Sequence, residues 1–146
     1  MTHMKKIIYI FLACTLLASC DWEILNNSKM DGNWQLRQID TLATEGFCDM
    51  AYSYIYWGIQ DNLLQVRDID NNNQRIFFRY NEQGDSLTIY SPYLAITKNE
   101  LIPVEDIQTL LPLGIIGIED RFFIEKLNGE KMVLKNECYR LHFRKY

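Results

Sequence analysis

From Gly32 onward the chain alternates apolar and polar positions in short runs separated by turn-forming clusters. Gly32–Ile39, Tyr52–Gln60, Leu63–Ile69, Arg75–Tyr80, Ser86–Tyr90, Ile118–Leu127, Lys131–Lys135 and Tyr139–Lys145 each read as a β-strand, with Tyr93–Thr97 a possible ninth. Between them lie Asp61-Asn62, Asp70-Asn71-Asn72-Asn73, Asn81-Glu82-Gln83-Gly84-Asp85, Asn128-Gly129 and Asn136-Glu137. Asn-Gly is a strong hairpin signal because both residues tolerate positive φ. The alternation also names a core. Ile76, Phe78 and Tyr80 oppose Arg75 and Arg79, although Phe77 interrupts the outer face. Tyr139, Leu141 and Phe143 oppose Arg140, His142 and Arg144. Ile55, Trp57 and Ile59 oppose Tyr52, Tyr54 and Tyr56, and Met132 and Leu134 point inward. Fully apolar side chains gain more from burial than tyrosines, whose hydroxyl must be satisfied. Short antiparallel strands joined in sequence must hide their edges. The predicted fold is therefore all-β, an eight-stranded antiparallel up-and-down barrel.

One stretch breaks the period of two. Pro103 suits a first helical position, Glu105 and Asp106 suit the positive end of a helix, and Val104, Ile107, Leu110 and Leu111 share a face before Pro112. This predicts one short helix before the last three strands, lying as a lid over a barrel end.

The amino-terminal pattern is different in kind. Lys5 and Lys6 precede the apolar run Ile7–Leu17, and Leu17-Ala18-Ser19-Cys20 follows. A basic end, an apolar middle of about 7–15 residues and small residues before a thiol resemble the start of bacterial lipoproteins. The run is short of the ~20 residues needed to span a bilayer. The resemblance implies a signal peptide over residues 1–19, cleavage before Cys20, and acyl chains such as palmitate on that cysteine. Residues 20–30 then form the acylated cysteine and tether, and residues 31–146 the barrel domain. Several acyl chains would hold the protein on a membrane, since each buried methylene contributes about 0.8 kcal/mol. The expected location is the cell envelope, lipid-anchored.

Charge then narrows the partners. Processing removes two of 15 basic residues and none of 19 acidic ones, leaving thirteen against nineteen, a net charge of −6. Nucleic acid and anionic lipid both require clustered Lys and Arg, so neither is expected as a partner.

Gly32-x-Trp34 on the first strand resembles the lipocalin-type signature. The chain as a whole, with Leu113-Gly114-Ile115 and the ending Leu141-x-Phe143-Arg144-Lys145-Tyr146, is similar to the small lipocalin-like lipoproteins of Bacteroidetes. That resemblance implies a calycin-like barrel tethered at its amino terminus. It also implies that an arginine of the last strand packs on Trp34, with Arg140 and Arg144 as candidates, although the alternation points both outward. The Thr-Asp-Tyr segment of true lipocalins and the long helix after their last strand are absent from the sequence.

Candidate chemistry is sparse. Processing leaves Cys48 and Cys138 in a compartment where disulfides persist. In a closed meander the start of the last strand lies beside the end of the first, so Cys48 and Cys138 are expected to form a disulfide. Asp68–Asn73 superficially matches a calcium loop, but Asn73 stands where glycine belongs and Arg79 where a bidentate glutamate belongs. No metal and no cofactor are expected. His142 is the one histidine left after processing, on an outward face, and Glu119 and Asp120 face opposite ways along a strand. No catalytic residue is therefore assigned, and the protein is read as not an enzyme.

Two aromatic sets remain. Trp34, Trp57, Phe78, Tyr80, Phe122, Tyr139 and Phe143 either line a pocket for a small apolar ligand or fill the barrel, and their bulk favours filling. Tyr52, Tyr54 and Tyr56, with Phe77 and Phe123, either form a stabilising cross-strand ladder or serve protein or glycan contacts. Asp40-Thr41-Leu42 and Asp85-Ser86-Leu87 look like acceptor motifs for O-glycosylation, at Thr41 and Ser86. The functional expectation is a monomeric, non-catalytic envelope lipoprotein that binds a small apolar ligand in the barrel mouth. The alternative is an interaction or inhibitor module that meets an envelope protein through an outer face.

Overall fold

The alternating runs close into one antiparallel barrel in the computed structural model, which describes residues 30–146. The signal segment, Cys20 and the tether up to residue 29 lie outside the described residues. Ten strands are present among those described: β1 Gly32–Thr41, β2 Gly46–Asp49, β3 Ile55–Gln60, β4 Leu63–Asp68, β5 Gln74–Gln83, β6 Ser86–Thr97, β7 Glu100–Pro103, β8 Asp120–Leu127, β9 Lys131–Lys135 and β10 Tyr139–Lys145. Eight of them form the closed wall, in the order β1-β3-β4-β5-β6-β8-β9-β10, with β10 returning to β1. The two extra strands are short flaps. β2 pairs with the end of β1, and β7 pairs with the end of β6.

Closure follows from the period of two. Ile55, Trp57 and Ile59, Leu64 and Val66, Ile76 and Phe78, Leu87 and Ile89, Met132 and Leu134, and Leu141 and Phe143 all point into one contiguous core. Arg75 and Arg79 are exposed, as their alternate positions require. Tyr80 and Tyr139 sit at the margins of this core and stay partly exposed.

Strand β6 runs further than its sequence suggests. Ser91-Pro92 reads as a break, yet it is a bulge: two residues of β6 stand opposite the single Phe78 of β5, between the pairs Phe77–Tyr93 and Arg79–Tyr90. Ser91 takes φ 51°, the left-handed conformation that such a kink uses. Before the bulge β6 pairs with β8; after it, the strand peels away and pairs with β7. The backbone N–H of Val104 donates to Pro92 across the join, at 2.9 Å.

Each barrel end has its own closure. At the end where the chain enters, the Trp34 indole N–H donates to the Met30 carbonyl at 2.7 Å, and both residues are fully buried. At the far end, the expected lid is present as two consecutive 3-10 turns, Ile107–Thr109 and Leu111–Leu113, rather than an α-helix. Pro103 finishes β7 instead of starting the lid, and Asp106 caps the first turn by accepting from the Gln108 N–H. Leu110, Leu113 and Ile115 bury themselves over the core. Gly114 has φ 78°, and a Cβ there would come within 2.4 Å of a Leu141 methyl, so turn geometry and close packing both require glycine.

Candidate functional site

The barrel interior is the first place to look for a site. Trp34, Trp57, Phe78 and Phe122 have no exposed surface, and Phe143 is nearly as buried. Trp57 meets Phe122 edge-on with ring centroids 5.9 Å apart, and Phe143 tilts against the same indole at 4.9 Å. These rings pack on one another across the axis. The Trp57 N–H has no hydrogen-bond acceptor among the described residues.

The residue over Trp34 is neither Arg140 nor Arg144. Lys145 pairs with Trp34 in register and holds its ammonium 4.4 Å from the ring centroid, while also donating to the Asp31 carbonyl. Arg140 instead forks onto Glu125 on the outer surface. Arg144 faces out, as its alternate position demands. The inward series Tyr139, Leu141, Phe143 reaches Lys145 at its next step, so the signal was present in the last strand itself. Gly32 lies under the same side chain, and its φ of 124° is a conformation that favours glycine.

The expected disulfide is not formed; Cys48 and Cys138 are free and exposed. The connection leaving β1 folds back as β2 on one edge of β1, while β10 occupies the other. Cys48 stands opposite Ile39, and the Cys138 carbonyl accepts from Leu42. Two strand spacings, about 10 Å, separate such positions, beyond the roughly 7 Å between Cα atoms that a bridge allows.

Polar groups elsewhere are committed to structure. Asn136 lies buried beneath the lid. Its amide donates to Gly114 O at 2.9 Å and to Asp120 Oδ2 at 3.0 Å, and its oxygen accepts the N–H groups of Cys138 and Tyr139. Burial pushes the Asp120 carboxyl up, against the hydrogen bonds from Ile116, Asn136 and Arg121 that pull it down. Glu119 faces solvent, so the two adjacent carboxylates are separated. On the outer wall, His142 Nε2 lies 2.7 Å from Asp40 Oδ2. Burial raises the Asp40 carboxyl, but the hydrogen bonds from His142 and Gln38 and the nearby positive charges outweigh it and hold the group below its ordinary value. In the Asp68–Asn73 turn, Asp68 accepts from the Asn71 N–H and Asn73 accepts from Arg67. Among the described residues no group of three or more His, Cys, Asp or Glu is placed to hold a metal ion.

The outer aromatics divide. Tyr56 is half-buried and meets Tyr146 edge-on at 5.1 Å, whereas Tyr52, Tyr54 and Phe123 are exposed singly. A denser group lies on β5–β7. Arg75, Phe77 and Arg79 of β5, Tyr90 and Tyr93 of β6, and Lys98 and Leu101 of the β6–β7 hairpin line a cleft of about 880 Å³. The bulge at Ser91 lies in the lining of this cleft, at the point where β6 passes from pairing with β8 to pairing with β7. Lys98 and Leu101 were not legible as part of it, because the four-residue β7 was not recognised as a strand.

With this geometry in view, comparison with known proteins is decisive for the family. A model of the lipocalin-like domain matches residues 15–146. The chain belongs to the lipocalin-like domain family. Among solved structures, this lipocalin-like chain is similar to a lipocalin-like protein from Bacteroides uniformis, with a TM-score of 0.63 and 20% identity over 82% of this chain and 100% of that one. It is also similar to an uncharacterized protein from Bacteroides eggerthii, with a TM-score of 0.55 and 21% identity over 80% and 98% of the two chains. Both likenesses are of fold. No curated protein matches the chain. Lipocalin-like domains are typically non-enzymatic binding proteins.

Proposed function

We propose that this protein is a non-catalytic envelope lipoprotein, held on a membrane by acyl chains on Cys20, that binds its partner with the outside of a filled barrel. The observation that carries the reading is the interior itself. Trp57, Phe122 and Phe143 occupy the axis, and Trp34, Phe78 and the lid residues Leu110 and Leu113 are buried around them. A small apolar ligand inside would have to displace rings whose burial stabilises the fold, at about 3–5 kcal/mol for each large aromatic. Surface binding needs no such displacement. The anchoring half of the reading is supported by the basic, apolar and small-residue run ending at Cys20. No helix among the described residues is long and apolar enough to cross a membrane.

Two measurements test the proposal. In cells fed an alkyne analogue of palmitate, the wild-type protein takes the label and a Cys20→Ala variant does not; an unlabelled wild type ends the anchoring claim. Native mass spectrometry of the protein from its own host then reports what is bound. A retained apolar molecule that quenches Trp34 and Trp57 emission would overturn the filled-barrel reading.

A further inference from the structure

We propose that the cleft between β5 and the β6–β7 hairpin docks an extended acidic segment of a partner protein. This rests on the reading above, that binding is done on the outer surface, and gives that surface a site and a partner chemistry.

Charge complementarity sets the partner's sign. Arg75, Arg79 and Lys98 converge on one cleft of a chain whose formal charge is −4, and −6 once residues 1–19 are removed. Among the described residues none of the three makes an ion pair or a side-chain hydrogen bond, whereas Arg140 and His142 are paired with carboxylates. Three cations lining one cleft with no ion-paired carboxylate give it a sign that complements an acidic ligand.

The cleft's other side chains specify a protein. Phe77 is half-buried, and Tyr90 and Tyr93 are about two-fifths exposed. Arginine, tyrosine and phenylalanine are the side chains enriched at protein interfaces and at their energetic centres. The spacing favours an extended segment. Arg75, Phe77 and Arg79 are alternate residues of one strand, about 6.8 Å apart, so a peptide in the same conformation repeats at the same interval. Glutamate, leucine and glutamate at alternate positions would therefore meet arginine, phenylalanine and arginine in turn. Acidic motifs are recognised by arginine clusters in this manner.

The cleft's lysine and the point where the chain enters lie at opposite ends of the described fold. The chain enters the described fold at Met30, at the end capped by Trp34. Lys98 lies at the opposite end, in the turn joining β6 to β7.

The test uses full-length protein in a neutral detergent and a fluorescein-labelled peptide bearing Glu, Leu and Glu at alternate positions, separated by serines. Anisotropy should report saturable binding that weakens with added salt. The same peptide with Gln for Glu should bind about tenfold more weakly or worse, a difference of about 1.4 kcal/mol. An Arg75→Gln/Arg79→Gln/Lys98→Gln variant should lose a similar factor, and Tyr93→Ala should lose affinity for both peptides. All four side chains are solvent-facing, so near-ultraviolet circular dichroism should match wild type. Absence of binding, equal binding of the Glu and Gln peptides, or unchanged affinity in the triple variant each overturns the proposal. So does a triple-variant loss confined to phosphatidylglycerol vesicles or to oligogalacturonate, which would assign the cleft to lipid or to acidic glycan. Failure of the peptide with no interior adduct in the native mass spectrum rejects this site alone. An interior apolar adduct rejects the outer-surface reading itself.

Discussion

The barrel carries two aromatic clusters that differ in burial, in contacts and in the charge around them. Inside, Trp57 meets both Phe122 and Phe143, and all three have almost no exposed surface. Outside, Phe77, Tyr90 and Tyr93 lie on a concave wall among unpaired cations, partly open to water. The inner cluster stabilises the fold because every ring face is removed from water. The outer cluster contributes little to stability, and its exposed area is what a partner can still bury. Aromatic character alone does not separate the two, since Phe occurs in both. The face of the strand on which each ring falls does so.

The sharpest way to break the comparison is to truncate one ring from each cluster. Trp57→Ala should lower unfolding free energy by about 3–5 kcal/mol, read from urea denaturation, because the barrel wall cannot collapse into the void. A smaller loss would mean that the interior relaxes, and that the core is less filled than its burial implies.

The far-end closure comes next. Asn136→Ala leaves Gly114 O and the N–H groups of Cys138 and Tyr139 short of a buried partner, at a cost of about 2 kcal/mol. The same site should mark the pH profile. Burial raises the Asp120 carboxyl above 3.8, so the folded state holds that proton more tightly than the unfolded chain. Its contribution is fully present below 3.8 and is lost as pH rises through the folded value. Asp40 is held below 3.8 and acts oppositely: its contribution is present above 3.8 and is lost as pH falls through its folded value. Asp120→Asn should therefore remove the first dependence and keep the second, as checked by urea midpoints across the acid range.

Smaller effects bracket the entry end and the outer wall. Lys145→Gln removes the cation over Trp34, for about 1 kcal/mol and a shift in tryptophan emission. Lys145→Leu should cost no less, since the Asp31 carbonyl also loses its donor. Tyr93→Ala should stay within about 0.5 kcal/mol of wild type in the same denaturation assay. A large loss there would mean that the outer cluster is structural after all.

Most of the barrel was legible because period-two alternation reports burial directly, whichever strands come to be neighbours. The core positions on β3, β5, β9 and β10 follow from it without reference to pairing. What escaped depends on neighbours. Nothing in Gly46–Asp49 or Glu100–Pro103 marks a strand, since four exposed residues form β2 or β7 only when an unpaired edge is offered to them. The separation of Cys48 from Cys138 had the same cause. The link out of β1 turned to the edge that β10 does not use.

The amino-acid sequence by itself determined which residues face inward, where the chain turns, that the lid would cap an end, and the lipoprotein-like start at Cys20. Alternation, turn chemistry and the signal pattern are all local, and each is written in consecutive residues. Only the tertiary structure decided that Trp57 meets Phe122 and Phe143, that Lys145 stands in register with Trp34, and that Arg75, Arg79 and Lys98 line one cleft. Those outcomes depend on the register between strands and on a single bulge at Ser91, which places residues distant in the chain within reach of one another.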